Sequence, residues 1–154
     1  MPTITPARTG HVGINVVDLD RSTTFYSAVF GLEPGPIGEH DGERFVFLTA
    51  DGTTVLTLWE QSSGEFATDR PGLHHLAFEV ADGIALRAAH ERLERLGARL
   101  AYDGVVAHGD GAASGGIFFL DPDGTRLEIY APDGGNDALA GAAPYGEAPT
   151  CGFF

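Results

Sequence analysis

Two stretches decide the fold: His11-Val-Gly-Ile-Asn-Val-Val-Asp18 and, sixty-four residues further on, His75-Leu-Ala-Phe-Glu-Val-Ala-Asp82. Each opens on a histidine, alternates small or polar with apolar residues, and closes on an aspartate. Working outward, the matches continue in the same order. Phe45-Val-Phe-Leu48 aligns with Ile117-Phe-Phe-Leu120, Asp51-Gly52 with Asp123-Gly124, and Leu56-Thr-Leu-Trp59 with Leu127-Glu-Ile-Tyr130. One such match arises by chance. An ordered series over about sixty residues marks two copies of one supersecondary unit.

Each copy decodes alike. Val12, Ile14 and Val16 share one face of a strand, with His11, Gly13 and Asn15 on the other, which is the period of a half-buried strand. Asp18 or Asp20 then starts a helix that Gly31 stops, with Leu19, Phe25, Val29 and Phe30 as its expected buried stripe. In the second copy the helix is predicted over 84–96, with Leu86, Ala89, Leu93 and Leu96 on one face and Gly97 ending it. Short β-rich runs follow each helix. Thr49-Ala-Asp-Gly52 and Asp121-Pro-Asp-Gly124 read as hairpin connections. The unit is strand–helix–three strands, made twice. The resulting fold class is α+β: two tandem βαβββ modules, residues 10–60 and 73–132, forming a cupped mixed β-sheet or half-barrel with the helices outside.

Composition narrows the function. The 154 residues hold nine basic against 22 acidic side chains, a formal charge of −13, and every basic residue is arginine. Broad nucleic-acid binding and adsorption to anionic lipid need clustered cations, so neither is expected. Without lysine there is no Schiff-base or P-loop chemistry. No run of 18 apolar residues spans a membrane and no apolar leader is visible, which predicts a cytoplasmic protein. The run 109–116, GDGAASGG, lacks the Lys-Ser/Thr of a phosphate loop and precedes a strand, so a plain connection is the simpler reading, with a mobile loop beside a site as the other. From Asp133 to Phe154 the chain turns to Gly, Ala and Pro; this tail is either disordered or packed through Phe153-Phe154. Cys151, the single cysteine, is read as an inert free thiol.

Strand parity points to a site. If Leu56, Leu58, Leu127 and Ile129 face the helices, then Thr57, Trp59, Glu128 and Tyr130 face the other side of the sheet. His11 and His75 lie opposite the aliphatics of their own strands. Two imidazoles and a carboxylate are thereby directed from three strands into one concavity, a facial set suited to Fe(II) or Mn(II) with positions left open. A substrate with two adjacent oxygens fits those open positions.

On the motifs HVGINVVDLDRSTTFYSAVFGLEP, PGLHHLAFEVAD and FFLDPDGTRLEIYAP, residues 10–132 resemble the vicinal oxygen chelate superfamily. That superfamily includes glyoxalase I, extradiol dioxygenases, methylmalonyl-CoA epimerase and the fosfomycin and bleomycin resistance proteins. The resemblance implies that His11, His75 and Glu128 are metal ligands. Glyoxalase I and the epimerase use a fourth ligand where Thr57 stands, so the three-ligand pattern of the dioxygenases and fosfomycin enzymes is favoured. The dioxygenase pattern has a tyrosine near the position of Phe118 and a further histidine beside the ligands that finds no counterpart in residues 60–64, with His40 and His108 as candidates to replace it from a loop. The absence of lysine argues against the fosfomycin branch.

Other residues have plainer readings. His74, next to His75 but of opposite parity, is expected to cap or pack beneath the strand, and His90 to lie on the helix surface. Arg126 is the rival to a metal as partner for Glu128. Glu60 has the wrong parity to join the site, barring a bulge. Thr57, Trp59 and Tyr130 are candidate substrate contacts, Trp59 and Tyr130 being equally compatible with lining the sheet. The resulting expectation is a divalent-metal enzyme acting on a small substrate with vicinal oxygens, dioxygenase-like first. A lyase or epimerase, with Ni, Co or Zn in place of Fe or Mn and Glu128 as proton carrier, comes second. A protein that sequesters a drug or metabolite without turnover is third, and a homodimer is expected throughout.

Overall fold

The structure, a computed structural model, describes residues 9–109 and 111–137. These fall into two compact units that divide between Glu65 and Phe66. The expected reading of Cys151 and of the rest of the tail lies outside the described residues.

In the first unit, β1 (Val12–Asn15) leads into α1 (Leu19–Phe30), followed by β2 (Glu33–Pro34), β3 (Gly38–His40), β4 (Glu43–Ala50) and β5 (Thr53–Trp59). The sheet runs β1-β5-β4, with β2 and β3 both paired to β4. β1 is parallel to β5, and the other pairings are antiparallel. Because β2 meets Leu48 and Thr49 while β3 meets 43–45, the two short pieces fill successive parts of one lane. The expected three strands after the helix are therefore three lanes, one of them broken in two.

Local chemistry explains these boundaries. The Asp18 side chain accepts the Arg21 backbone N–H at 2.9 Å and caps α1, supplying a partner for a backbone donor that has none within the helix. Gly31 closes the helix at φ 69. Between β4 and β5 the two-residue connection Asp51-Gly52 has φ 49 and 72. Both lie in the left-handed region, the signature of a type I′ hairpin turn whose twist matches that of the strands. Val16, Leu19, Tyr26, Val46, Leu48, Leu56 and Leu58 are fully buried, and α1 packs on β4 and β5. The helix buries Tyr26 where Phe25 and Phe30 were expected; those two are half-buried. Tyr26 follows Leu19 and Ser22 at spacings of seven and four, closer to the centre of the buried stripe than either phenylalanine.

The second unit repeats the plan with β6 (Leu76–Glu79), α2 (Gly83–Arg95), β7 (Arg99–Leu100), β8 (Val106–Ala107), β9 (Gly115–Leu120) and β10 (Arg126–Ala131). Its sheet runs β6-β10-β9, with β7 and β8 again sharing the lane beyond β9. Asp82 caps α2 through the Ala85 N–H at 2.9 Å. Leu86 and Leu93 are fully buried against the sheet, but Leu96 is 46% exposed. The helix ends at Arg95 and Leu96 is its C-cap, so the residue leaves the buried stripe that its spacing suggested. A short 3₁₀ turn, Gly134–Asp137, packs on β9 and α2, and the Gly135 N–H donates to Ala113 O at 2.7 Å. The start of the expected tail thus belongs to this unit.

Candidate metal centre and its aromatic counterpart

Pairing registers place the site residues. Leu56, Thr57, Leu58 and Trp59 lie beside Val12, Gly13, Ile14 and Asn15. Leu127, Glu128, Ile129 and Tyr130 lie beside Leu76, Ala77, Phe78 and Glu79. Thr57 therefore corresponds to Glu128, and Trp59 to Tyr130, as the repeat predicted.

In the second unit Glu128 is 5% exposed. Its Oε1 is 2.7 Å from His108 Nε2 and its Oε2 is 3.3 Å from His75 Nε2. A buried carboxylate without partners is costly; here imidazoles face both oxygens, in the role for which Arg126 was the expected rival. His108 Nδ1 is in turn 3.0 Å from Ser114 Oγ. The loop between β8 and β9 delivers both residues, closed by the His108 N–H donating to Ser114 O at 3.1 Å. This is the stretch read as a plain connection. The carboxylate lies over Gly116, where an added Cβ would come within 2.7 Å of Glu128 Oε1. Space for Glu128, and not an unusual φ, is what the glycine provides.

His75 precedes β6 by one residue, and its Nδ1 lies 2.9 Å from His74 Nδ1, with the rings edge-on. Strand alternation starts only at Leu76, so parity does not separate the two histidines as expected. Burial, then the charges of His75 and Arg126, lowers the His74 pKa below its ordinary value. Tyr130 donates from Oη to Glu79 Oε2 at 2.6 Å, and its ring centre lies 5.8 Å from that of His108. That hydrogen bond, followed by burial and the charges of Glu79 and Glu128, raises the Tyr130 pKa.

The matching face of the first unit is aromatic. Trp59 stacks on Phe45 at 4.7 Å, and Phe47 meets Phe45 edge-on at 5.6 Å. Thr57 is 2% exposed and its Oγ1 accepts the Trp59 indole N–H at 3.2 Å, a neutral hydroxyl occupied within the sheet. His11 is exposed and immediately precedes β1. His40 lies on exposed β3, 3.5 Å from Asp41. Glu60 points away from this face, as its parity predicts. It accepts from Arg44 at 2.6 and 2.7 Å and from the Leu19 backbone N–H at 2.9 Å. His90 departs from its expected surface position: its side chain is 20% exposed, with Nε2 buried and without a hydrogen-bond partner.

Among the described residues no group of three or more His, Cys, Asp and Glu side chains stands in an arrangement that holds a metal ion. The donors that the second unit supplies nevertheless suit one. Ligand atoms about 2.1 Å from an ion and at right angles to each other are about 3 Å apart. The 3.3 Å between His75 Nε2 and Glu128 Oε2 is close to that span, and imidazole with carboxylate suits Fe(II), Mn(II) or Zn(II).

These features coincide with a family match. The chain belongs to the Glyoxalase/Bleomycin resistance protein/Dioxygenase superfamily, whose model matches residues 8–129. It is 34% identical over 130 residues to the catechol-2,3-dioxygenase of Bacillus subtilis (strain 168), covering 79% of this chain but only 40% of that protein. It is 28% identical over 120 residues to a trivalent organoarsenical cleaving enzyme of Bacillus sp. (strain MD1), covering 78% of this chain and 70% of that one. Among solved structures, the glyoxylase/bleomycin resistance protein/dioxygenase domain from Frankia sp. EAN1pec superposes with a TM-score of 0.72 at 26% identity, covering 82% of this chain and 93% of that chain.

Proposed function

We propose that this protein is a divalent-metal-dependent enzyme acting on a small substrate with vicinal oxygens, with a dioxygenase-like reaction favoured. The observation that carries the reading is the approach of half-buried His75, through Nε2, to Oε2 of buried Glu128 at 3.3 Å, where the first unit has at the glutamate's position only the occupied hydroxyl of Thr57. His11 is the proposed third ligand, supplied by the same chain or by a second copy in a homodimer. Fe(II) or Mn(II) is the preferred ion. When bound, it would supply Lewis acidity and a meeting point for two substrate oxygens.

The chain's own residues define the remaining roles. His75 binds through Nε2 and holds its proton on Nδ1, donating to His74, which fixes the ring's tautomer and direction. Glu128 contributes one negative charge, so two neutral imidazoles and one carboxylate leave a divalent centre with net positive charge to attract an anionic diolate. Tyr130 and Trp59 are proposed to border the substrate. Tyr130 is held in place by donating its hydroxyl to Glu79.

The 34% identity to a catechol-2,3-dioxygenase supports the oxygenase version. A second reading, a glyoxalase-like lyase or epimerase, draws support for its lyase form from the match to 70% of the length of a trivalent organoarsenical cleaving enzyme. Metal analysis of protein isolated without oxygen, followed by oxygen uptake with a panel of catechols, tests the proposal. Stoichiometric Fe or Mn with uptake is the expected result. Ni, Co or Zn without uptake moves the assignment to the lyase reading. Protein that carries no metal and takes none up overturns both.

A further inference from the structure

We propose that Ser114 and His108 are positioning residues that orient the Glu128 carboxylate, holding Oε1 so that Oε2 is presented beside His75; this rests on the metal reading above. The geometry is a chain of three polar groups. Ser114 Oγ lies 3.0 Å from His108 Nδ1, and His108 Nε2 lies 2.7 Å from Glu128 Oε1. An ionised carboxylate only accepts, so the proton between His108 and Glu128 sits on Nε2. In the neutral ring Nδ1 is then an acceptor, and the Ser114 hydroxyl donates to it. Every atom of the relay has one role, and the directions agree from end to end.

Glu128 requires such a device. Its side chain has two rotatable carbons and a terminal torsion with a broad profile. The carboxylate sits at a 5% exposed position, where little water is available to hold it. Gly116 removes the Cβ that would lie 2.7 Å from Oε1 and 3.3 Å from Glu128 Cγ, so the carboxylate can lie along β9 within reach of His108. The loop hydrogen bond from the His108 N–H to Ser114 O holds the two relay residues together through the backbone as well as through their side chains. Oε1 is engaged in this way, whereas Oε2 has His75 Nε2 as its neighbour. The two oxygens have separate duties.

The test is Mn(II) titration of the full-length, metal-stripped protein, with free Mn(II) read by electron paramagnetic resonance. His108→Ala is expected to weaken Mn(II) by about 10- to 100-fold, the usual cost of removing a group that orients a ligand. His108→Gln, whose amide N–H extends about as far as Nε2, should recover most of that loss. Ser114→Ala should have the same sign and a smaller size, and it keeps the test valid if His108→Ala fails to fold. A merely structural histidine would not show rescue by glutamine in metal affinity with unchanged melting temperature. Mn(II) binding by His108→Ala and Ser114→Ala within twofold of the unmodified protein overturns the proposal while leaving the metal reading intact. If the unmodified protein binds none of Mn(II), Fe(II), Ni(II), Co(II) and Zn(II), the metal reading falls and the positioning role falls with it. Independently of metal, ¹⁵N imidazole spectra should show a proton on His108 Nε2 that responds to Glu128→Gln. A bare Nε2 overturns the relay in every case.

Discussion

At matching register positions the first unit sets Phe45 opposite Trp59, and the second sets Gly116 opposite Tyr130. Strand pairing thereby moves one expected match by a residue: Phe45 corresponds to Gly116 and not to Ile117. Next along the same strands, Phe47 faces Thr57 and Phe118 faces Glu128. The backbone plan is the same in both: a parallel first strand, a capped helix, a broken lane and a closing hairpin. Removing one aromatic ring at position 116 changes what that plan can hold. Where Phe45 and Trp59 stack, the face is apolar and its one hydroxyl is occupied internally. Where Gly116 leaves a gap, a carboxylate lies down and meets two histidines. The two faces thus differ through paired exchanges on one plan, Phe45 for Gly116 and Thr57 for Glu128, with no change of topology.

The core should not follow that division. Leu58 and Ile129 are equivalent positions on the helix-facing side, 0% and 2% exposed. Truncation of a buried aliphatic removes transfer free energy and leaves a cavity, costing about 2–5 kcal/mol. Leu58→Ala and Ile129→Ala should each cost that amount in chemical denaturation. A large loss in one and none in the other would break the correspondence between the units.

The site should follow it. Glu128→Gln removes the carboxylate charge and is expected to weaken Mn(II) by more than about 100-fold, beyond the 10- to 100-fold typical of outer partners. Gly116→Phe, which gives the second unit the aromatic of the first, should cause a comparable loss by displacing the carboxylate. Phe45→Gly in the first unit should leave Mn(II) affinity unchanged. Titration of the three variants side by side checks the expectation; a metal that tolerates Gly116→Phe would sever the link between gap and site.

Much of this was legible in the chain itself. The alternation from Val12 to Val16, Asp18 as cap and Gly31 as stop, and the placement of Leu56 and Leu58 opposite Thr57 all follow from local periodicity. What local reading left open, between His40 and His108, depended on register across distant strands. His108 and Glu128 are twenty residues apart, and nothing in their spacing couples them until β9 is paired with β10. The available signal was Gly115-Gly116 at the start of a strand, where glycine usually marks a close approach of another group. His74 was misplaced because alternation was extended one residue too early. Tyr26, outside the expected stripe of Leu19, Phe25, Val29 and Phe30, is fully buried because it lies seven residues after Leu19 and four after Ser22.

The closing hairpins differ, and the difference is measurable. The first unit turns on Asp51-Gly52 with both residues at positive φ. The second turns on Asp121, 1% exposed, whose Oδ1 accepts the backbone N–H groups of Asp123 and Thr125 at 2.9 and 2.7 Å. Asp121→Ala leaves two buried donors without that acceptor, at a cost of about 1–3 kcal/mol. Asp51→Gly relieves a left-handed aspartate and should be close to neutral in thermal melting. Equal costs would show that the second hairpin does not depend on its side-chain turn.

The smallest expected effect separates the units by pH. Glu60 accepts from Arg44 and from the first N–H of α1, whereas the equivalent residue of the second unit is the buried Ala131. The Arg44 hydrogen bond, followed by that of the Leu19 backbone, holds the Glu60 carboxyl down to about 2 from its ordinary 4.5. A carboxylate with a lowered folded-state pKa stabilises the fold fully above its unfolded value and loses that contribution as pH falls through the folded value. Stabilisation from Glu60 is therefore complete above about 4.5 and fades toward about 2. Because the pair is partly solvated, its size is modest. Melting temperatures between those limits should fall less steeply in Glu60→Gln than in the unmodified protein, with the Gln variant slightly less stable at neutral pH. Parallel melting curves across the window would remove Glu60 as the source of acid sensitivity and leave the first unit's helix cap to Asp18 alone.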